Sequence, residues 1–267
     1  MLVMNEMDVN LRNYLQQNHS KLTWKERIQI TDDIIDALCK VHGENAIHRD
    51  LHSGNILFYQ NDQKFSISDL GFCGPADKPL NSIYGNLPYI APEVIVGKET
   101  TFASDIYSIG MLMWEISSGQ PPFFNYENDY DLAMKIINGM RPKIVPGIPL
   151  EYKELMEQCL DADPTKRPDI DSLFNRIREM LWLNFQSIPD ESNKNKSIIK
   201  RLTKKVKILQ SNKQKANPAI ILELNKTSSS ETNYINSRLF TSKVYYQFEN
   251  LPEPKNATEG NKFIICL

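Results

Sequence analysis

The chain has 267 residues, of which 41% are hydrophobic and 24% charged, a composition typical of a soluble globular protein with a sizeable core. Its net charge of −2 conceals nine Lys and Arg residues, with no acid, between residues 194 and 215. The remaining 22 basic residues face 33 acidic ones. The body of the chain is therefore acidic, which argues against nucleic-acid binding as its main task.

Cysteine usage and the chain start indicate the compartment. The 4 cysteines are widely spaced, and the first residues, MLVMNEMD, carry acids where a secretory signal needs a basic start. The most apolar stretch, residues 106–116, contains Glu115 and is too short to span a bilayer. These features predict reduced thiols in the cytosol or nucleus, and we assign the protein to the cytoplasm.

The first half of the chain begins with a predicted strand stub at Leu2–Met4 and a helix around Leu11–Gln17. A second helix follows Thr23, because apolar residues at helical spacing form one face and Gly43 ends the pattern. Lys64–Phe72 alternates as a strand does. Residues 73–92 hold six glycines and prolines, which predicts an irregular loop.

The second half is predicted to be helical up to about residue 185. Ser104–Ser118 is apolar or small almost all round, which predicts a helix buried inside the domain. Three amphipathic helices follow, at Tyr130–Asn138, Leu150–Leu160 and Ile170–Trp182. After Pro189 the composition turns rich in Ser, Asn and Lys, and the chain is therefore divided into a domain of residues 1–185 and a largely disordered tail of residues 186–267.

Three segments of the tail keep some pattern. Residues 196–210 have apolar side chains at helical spacing among lysines, and such a basic helix can bind an anionic membrane or an acidic partner through residues 194–215. We favour a solvated or disordered segment over that alternative. Residues 244–248 (VYYQF) fit an edge strand or a docking segment, and Leu251–Lys255 is interpreted as linker.

Polar residues are crowded into residues 48–57 (HRDLHSGNIL). Asp50 and Asn55 lie five residues apart in one loop, and Asp69 follows a predicted strand. Carboxylate and amide oxygens are hard ligands that suit Mg²⁺, and a carboxylate left off the metal could accept a proton from a hydroxyl nucleophile. The alternative is that these side chains cap a turn.

The order and spacing of these residues resemble the eukaryotic protein kinases. The motifs that carry the resemblance are HRDL at 48–51 with Asn55, DLG at 69–71, APE at 91–93, SDIYSIG at 104–110, GQPPF at 119–123 and CLDADPTKRP at 159–168. They cover roughly the first 185 residues in the family's order. HRDLHSGNIL is most similar to the tyrosine-kinase-like, Ser/Thr-type branch of that superfamily.

The resemblance implies a catalytic set of Arg49, Asp50, Asn55 and Asp69. Asp50 would accept the proton of the substrate hydroxyl, and Asn55 and Asp69 would hold the Mg²⁺ ions that bridge the ATP phosphates. Arg49 would bind a phosphate or carboxylate in the segment after Asp69, because its planar fork matches an oxyanion.

The resemblance also implies nucleotide-binding residues. Asn5 to Met7 would form the hinge that faces the adenine of ATP, and Leu57 would lie under the adenine ring. Leu70, in place of the family's usual Phe, is expected to remain an apolar plug.

Four further residues are given structural roles by the resemblance. Asp105 would brace the backbone of the loop around Asp50, and Glu93 and Arg167 would form a buried ion pair. His48 is expected to be structural and not a base.

The sequence also departs from the family. It contains no GxGxxG loop and no strand Lys for the ATP phosphates. The resemblance thus implies a mostly α, α+β kinase C-terminal lobe whose N-terminal β lobe is missing, with a low-complexity tail attached. His52 stands where Ser/Thr kinases place a Lys, and Asn86 where they place a Thr, so Ser/Thr specificity is only favoured.

Two functions remain open at this point. The first is a protein kinase that transfers the ATP γ-phosphate to Ser/Thr hydroxyls of protein substrates with Mg²⁺, present here as a fragment inactive alone. The second is a non-catalytic kinase-like binding or scaffold module.

Overall fold

A computed structural model describes residues 9–75, 83–126, 129–186, 243–245 and 251–257. The chain divides into two compact units, residues 1–182 with 234–267 and residues 183–233. About half of the described residues are helical, and the described strands form three small antiparallel sheets.

The described part of the chain begins with one strand and two α-helices, continues with five strands and then five α-helices, and ends with one strand. The α-helices are α1 Leu11–Asn18, α2 Trp24–Gly43, α3 Pro92–Ile95, α4 Phe102–Ser118, α5 Asp129–Ile137, α6 Leu150–Cys159 and α7 Ile170–Gln186. The strands are β1 Val9–Asn10, β2 Ala46–Ile47, β3 Ile56–Tyr59, β4 Lys64–Ile67, β5 Gly74–Pro75, β6 Ile83–Gly85 and β7 Lys243–Tyr245. Short 3₁₀ turns lie at His19–Lys21, Leu87–Tyr89 and Pro164–Lys166.

Helix α2 begins at a capping box. The Thr23 hydroxyl accepts from the Glu26 backbone N–H at 3.3 Å, and the Thr23 backbone N–H donates to Glu26 Oε2 at 2.7 Å. Two backbone donors that a helix start leaves unpaired are satisfied in this way. The predicted apolar face of α2 is confirmed, since Ile28, Ile35 and Leu38 are fully buried.

Helix α4 is the centre of the fold. Every residue from Ser104 to Ser117 is buried, which confirms the predicted buried helix. A Cβ on Gly110 would lie 2.8 Å from Leu160 Cδ2, so a glycine lets α4 pack closely against the end of α6. Helix α4 ends at Gly119, whose φ of 73° suits a glycine.

The largest sheet has the order β1-β3-β4. Ile56 pairs with Ile67 in the β3–β4 hairpin, so Asn55, just before β3, and Ser68, just after β4, lie at the same end of it. A second pairing joins β2 to β5, with Ile47 opposite Gly74. These two pairings bring the segment after β4 alongside residues 46–55.

The coarse prediction of a mixed, half-helical fold is confirmed, and the predicted helices are present within a few residues. The predicted strand at Lys64–Phe72 ends earlier, at Ile67, and the predicted loop of residues 73–92 contains β5, β6 and the start of α3. The expected absence of an N-terminal β lobe is not established, because a three-stranded sheet is present. Leu2–Met4 lies outside the described residues.

Candidate functional site

Asp50 and Asn55 are joined directly in the loop between β2 and β3. Asn55 Nδ2 donates to the Asp50 carbonyl oxygen at 2.9 Å and lies 3.4 Å from Asp50 Oδ2. The Asp50 side chain is buried, with 3% of its residue surface exposed. Because Nδ2 faces Asp50, Oδ1 is the Asn55 atom that can bind a cation.

Asp105 on α4 holds the backbone of this loop. Its carboxylate accepts from the backbone N–H of His48 at 2.8 Å and from that of Arg49 at 3.0 Å, and it also contacts His42 Nε2 at 2.9 Å. Arg49 has a φ of 72°, a conformation that costs a non-glycine residue energy and persists only when its surroundings impose it. The predicted bracing role of Asp105 is confirmed.

His48 is fully buried, and both of its ring nitrogens are engaged. Nε2 lies 3.1 Å from the Ser68 carbonyl oxygen, and Nδ1 accepts from the Asp50 backbone N–H at 3.3 Å. A ring used in this way links the loop to the end of β4, in agreement with the structural role expected for His48.

The Arg49 guanidinium extends along the segment after Asp69. It donates to the carbonyl oxygens of Phe72 at 3.2 Å and Pro75 at 2.9 Å. A Cβ on Gly74 would lie 2.7 Å from Arg49 Nη1, so the glycine leaves room for this contact. The described partners of Arg49 thus include two backbone carbonyl oxygens, and its expected contact with a phosphate or carboxylate stays a prediction.

Asp69 lies next to Asn55 in the fold, although 14 residues separate them. Both the backbone N–H and the hydroxyl of Ser68 donate to the Asn55 carbonyl oxygen, at 2.8 and 3.0 Å. Asp69 follows with a φ of 55° and an exposed side chain that accepts from the Gly71 N–H at 3.4 Å. The exposed carboxylate of Asp69 thus belongs to the residue directly after one that is bonded to the Asn55 backbone.

This pair fits Mg²⁺ better than a metal that needs a closed set of protein ligands. No group of three or more His, Cys, Asp or Glu within the described ranges could hold a metal. Magnesium keeps several waters and binds through one or two carboxylates and the substrate phosphates, so it does not need such a group. The oxygen donors of Asn55 and Asp69 match that preference.

His52 stays neutral beside Asp50. Burial, with the nearby positive charge of Arg12, lowers the pKa of His52 to about 4. The Gly54 backbone N–H donates to Nδ1 at 3.1 Å, which places the ring proton on Nε2, and Nε2 lies 3.7 Å from Asp50 Oδ1. At neutral pH the ring therefore presents an N–H, and no positive charge, to the Asp50 carboxylate.

The predicted nucleotide-binding residues are only partly described. Leu57 is half-buried and shares one face of the largest sheet with Asn10 and Ser66, its direct cross-strand neighbours. Asn5 and Met7 lie outside the described residues. The expected plug is wrong for Leu70, because 58% of this residue is exposed.

Glu93 and Arg167 form the predicted buried ion pair. Arg167 Nη1 and Nη2 each donate to one Glu93 carboxylate oxygen at 2.7 Å. Arg167 also donates to the carbonyl oxygens of Asp161 and Ala103, at 2.8 Å each. The pair therefore ties α3 to the loop before α7.

A second buried polar network was not predicted. Arg12 donates to Glu115 Oε1 at 2.6 Å, to the Tyr89 hydroxyl at 2.7 Å and to the Ser53 hydroxyl at 3.0 Å. Burial and the nearby Glu115 raise the pKa of Tyr89, which donates to Glu115 Oε2 at 2.5 Å. The available signal was an acid, Glu115, near the C-terminal end of the mostly apolar helix α4.

Comparison with known proteins gives the family. A family model described as protein tyrosine and serine/threonine kinase matches residues 1–177. The chain belongs to the protein kinase family. Its kinase motifs fall on the loop of Asp50 and Asn55, on the end of β4 and on α3, where the contacts above are found.

Similar kinases are found in animals and in an amoeba. The human dual serine/threonine and tyrosine protein kinase is 36% identical over 151 residues, which are 55% of this chain and 16% of that protein. The kinase of the same name from Apis mellifera is 30% identical over 210 residues, 75% of this chain and 20% of that protein. The probable serine/threonine-protein kinase roco5 of Dictyostelium discoideum is 32% identical over 190 residues, 65% and 7% respectively.

The chain thus spans at most about a fifth of the length of these relatives. Among the described helices of the kinase chain, none is long and apolar enough to cross a membrane.

Proposed function

We propose that this chain carries the catalytic loop of a protein kinase that transfers the γ-phosphate of ATP to Ser or Thr hydroxyls of proteins. The observation that carries the proposal is the contact of Asn55 Nδ2 with Asp50, 2.9 Å from its carbonyl oxygen and 3.4 Å from Oδ2. This contact supports the proposal because it would hold a proton acceptor and a metal ligand together within one loop.

Asp50 would act on the attacking hydroxyl. The hydroxyl oxygen forms a bond to the γ-phosphorus, the bond from that phosphorus to the ADP oxygen breaks, and the hydroxyl proton passes to the Asp50 carboxylate. His52 is neutral and its Nε2 lies 3.7 Å from Asp50 Oδ1, so this side chain places no positive charge beside the carboxylate.

Asn55 Oδ1 and the Asp69 carboxylate would hold Mg²⁺. The ion, when bound, neutralises charge on the phosphates. Bracing by Asp105 and the Ser68 contacts with the Asn55 carbonyl oxygen keep the two ligands at one end of the β3–β4 hairpin.

Leu57, with Asn5 and Met7, would contact the adenine of ATP. The cross-strand neighbours of Leu57, Asn10 on β1 and Ser66 on β4, are both polar, so Leu57 is the apolar residue of that row across the sheet. Because the sequence has no glycine-rich loop or strand Lys for the phosphates, we expect the 267-residue chain alone to be much slower than the same chain behind a kinase small lobe.

The proposed location is the cytoplasm, and the proposed partners are ATP and protein substrates. Cys39, Cys73 and Cys159 carry no disulfide, as thiols in a reducing compartment do. The basic segment of residues 194–215 and the proposed tail from residue 186 lie almost wholly outside the described residues, so a membrane or acidic partner there remains the disfavoured alternative.

The test measures phosphate transfer from Mg-ATP to peptides that differ only in carrying Ser, Thr or Tyr. The 267-residue chain is compared with its fusion behind a small lobe. Asp50→Asn in the fusion should lower the rate by about 100-fold or more while nucleotide binding persists, and Asp69→Asn should weaken the Mg²⁺ dependence. Asp62→Asn, an exposed residue in the β3–β4 turn, is the matched control.

Equal rates for Asp50→Asn and Asp62→Asn would overturn the proposed catalytic role. Partner binding that persists in a chain with no transfer at all would favour the scaffold alternative. Transfer to the Tyr peptide alone would overturn the Ser/Thr assignment.

A further inference from the structure

A strand from the far end of the chain pairs with the segment beside Asp50. Strand β7 runs antiparallel to β6, with Tyr84 opposite Val244 and Gly85 opposite Lys243. A Cβ on Gly85 would lie 3.4 Å from Asp50 Oδ1, so β6 ends against the proposed proton acceptor. The edge of β6 that β7 covers therefore leads directly to that carboxylate.

A second stretch of the tail is anchored on the lobe. The Lys255 backbone N–H donates to the Ile137 carbonyl oxygen at 2.8 Å, and Asn256 Oδ1 accepts from the Ala162 backbone N–H at 2.6 Å. Leu251 packs against the hydrophobic core. Residues 251–257, of which Leu251–Lys255 were interpreted from sequence as linker, are thus held near the ends of α5 and α6.

The domain leaves space for residues 251–257, which we call the tail anchor. A Cβ on Gly139 would lie 2.4 Å from the Asn256 carbonyl oxygen, so the chain passes where only a glycine leaves space. Gly139 has a φ of 95°, which also suits a glycine. Pro252 and Pro254 restrict the unbound segment, which lowers the entropy lost when it docks.

The anchor is built for reversible docking. Most of its residues stay exposed, and its ion pair, Lys98 Nζ with Glu253 Oε2 at 2.7 Å, joins side chains that are 54% and 80% exposed. Exposed pairs contribute little to stability. A short strand and a few hydrogen bonds can therefore open without unfolding the core.

We propose that residues 243–245 and 251–257 act together as a strap that docks in cis on the domain of residues 1–185, and that its strand β7 occupies the β6 edge, where an extended peptide would otherwise bind. An exposed strand edge offers unpaired N–H and C=O groups to any extended segment, and β7 already uses the edge in that way. Because the covered edge leads to Asp50, the strap excludes peptides from the site. The exclusion of peptides from Asp50 matters only if the proposed function is right, whereas the docking of the strap does not depend on it.

We assign the β6 edge to this chain's own segment because β7 and residues 251–257, which both contact the domain, are close in sequence. Only residues 246–250 separate β7 from the anchor, so the anchor holds β7 at high effective concentration near β6. An unlinked peptide must compete with it.

The experiment uses the full chain and a fluorescent peptide of residues 239–258 as the probe. Lys243→Pro and Val244→Pro are introduced together, because neighbouring amides point to opposite edges of a strand and one of the two must face β6. Asn256→Leu removes the contact with the Ala162 N–H. The chain with all three changes should bind the probe at least about tenfold more tightly than the unchanged chain, since its docking surface is vacant.

Amide hydrogen exchange at residues 83–85 gives an independent reading. Exchange there should be faster in the two-proline chain than in the unchanged chain without added probe, and slow again when the probe binds. Glu253→Ala is the matched control, because it removes only an exposed ion pair and should leave probe affinity within about threefold of the unchanged chain. A probe that itself carries both prolines should bind more weakly.

Unchanged exchange at residues 83–85 in the two-proline chain would overturn the strap, as would equal probe affinity for the unchanged and triply changed chains. Neither readout uses phosphate transfer. A fusion behind a small lobe that transfers no phosphate, together with the expected exchange and binding, would therefore count against the proposed catalysis and leave the strap supported.

Discussion

Arg167 and Glu93 are joined by two parallel hydrogen bonds of 2.7 Å, one to each carboxylate oxygen, in a site where both side chains are almost fully buried. Removing one member of a buried pair leaves the other charged and without its partner, which costs about 3–5 kcal/mol. Arg167→Ala should therefore lower the free energy of unfolding by about that amount in urea titration.

The exposed pair of Lys98 and Glu253 is the control for this prediction. Its 2.7 Å separation is the same, but both side chains face solvent, so Lys98→Ala should cost about 1 kcal/mol or less. Similar losses for Arg167→Ala and Lys98→Ala would show that burial does not set the strength of the Glu93 pair.

Asp105 provides a second test, because its two carboxylate oxygens accept from two successive backbone N–H groups. Asparagine keeps one acceptor and turns an NH₂ group toward the other N–H. Asp105→Asn should lower the free energy of unfolding by about 1–3 kcal/mol and release the positive φ of Arg49. Asp62→Asn, an exposed change of the same kind, should cost less than about 0.5 kcal/mol in the same titration.

The exposure of Leu70 can be tested against a buried leucine. Leu70 is 58% exposed and Leu51 is 2% exposed. Leu70→Ala should change the free energy of unfolding of this chain by less than about 0.5 kcal/mol, whereas Leu51→Ala should cost about 2–5 kcal/mol. A loss of several kcal/mol for Leu70→Ala would restore the plug expected from sequence.

Replacing each of two helical glycines by alanine should change the free energy of unfolding in opposite directions. At Gly110 the new Cβ would lie 2.8 Å from Leu160 Cδ2, so Gly110→Ala overpacks the contact of α4 with α6 and should cost about 1–3 kcal/mol. At Gly43, the last residue of α2, a Cβ has no neighbour within 4 Å, and Gly43→Ala should stabilise by up to about 1 kcal/mol. Thermal unfolding of both variants measures the difference.

The sequence predicted the parts of the molecule that depend on local pattern. Helix α4 was recognisable because its residues are apolar almost all round, and the loop of Asp50 because its polar groups fall at family spacing. The Arg12 network was not predictable, since Arg12 meets Glu115 across 103 residues and no periodicity records such a pairing. The β6–β7 register is equally non-local.

The tail anchor was missed for a different reason. Its composition, rich in Pro, Glu and Lys, has too little apolar surface to predict burial. Its hydrogen bonds near the ends of α5 and α6 use backbone groups and one Asn side chain, as in the 2.6 Å contact of Asn256 Oδ1 with the Ala162 N–H. Hydrogen bonds of this kind leave no hydrophobic pattern in the sequence.

The final prediction concerns pH. Burial raises the pKa of Asp33 to about 6, although its carboxylate accepts from the Phe65 backbone N–H at 3.1 Å. A raised pKa means that the folded state favours the protonated acid, so this contribution to stability is fully present below about pH 4 and is lost as the pH rises through about 6. The loss amounts to at most about 3 kcal/mol. Asp33→Asn cannot ionise, so its free energy of unfolding should increase relative to that of the unchanged chain across this interval, as urea titrations between pH 4 and 8 would measure.

Asp36, one turn further along α2, is the control, because its pKa is shifted in the opposite direction. Burial alone would raise its pKa, but Lys40 and Lys64, whose ammonium groups lie 3.0 and 3.2 Å from Asp36 Oδ2, outweigh burial and lower it. Its contribution is present above the ordinary pKa of an aspartate and is lost as the pH falls below it. Asp36→Asn should therefore be most destabilising at neutral pH, and least so in acid. Parallel pH profiles for Asp33→Asn and Asp36→Asn would contradict both assignments, because the two carboxylates share a helix and differ in whether burial or the lysines dominate.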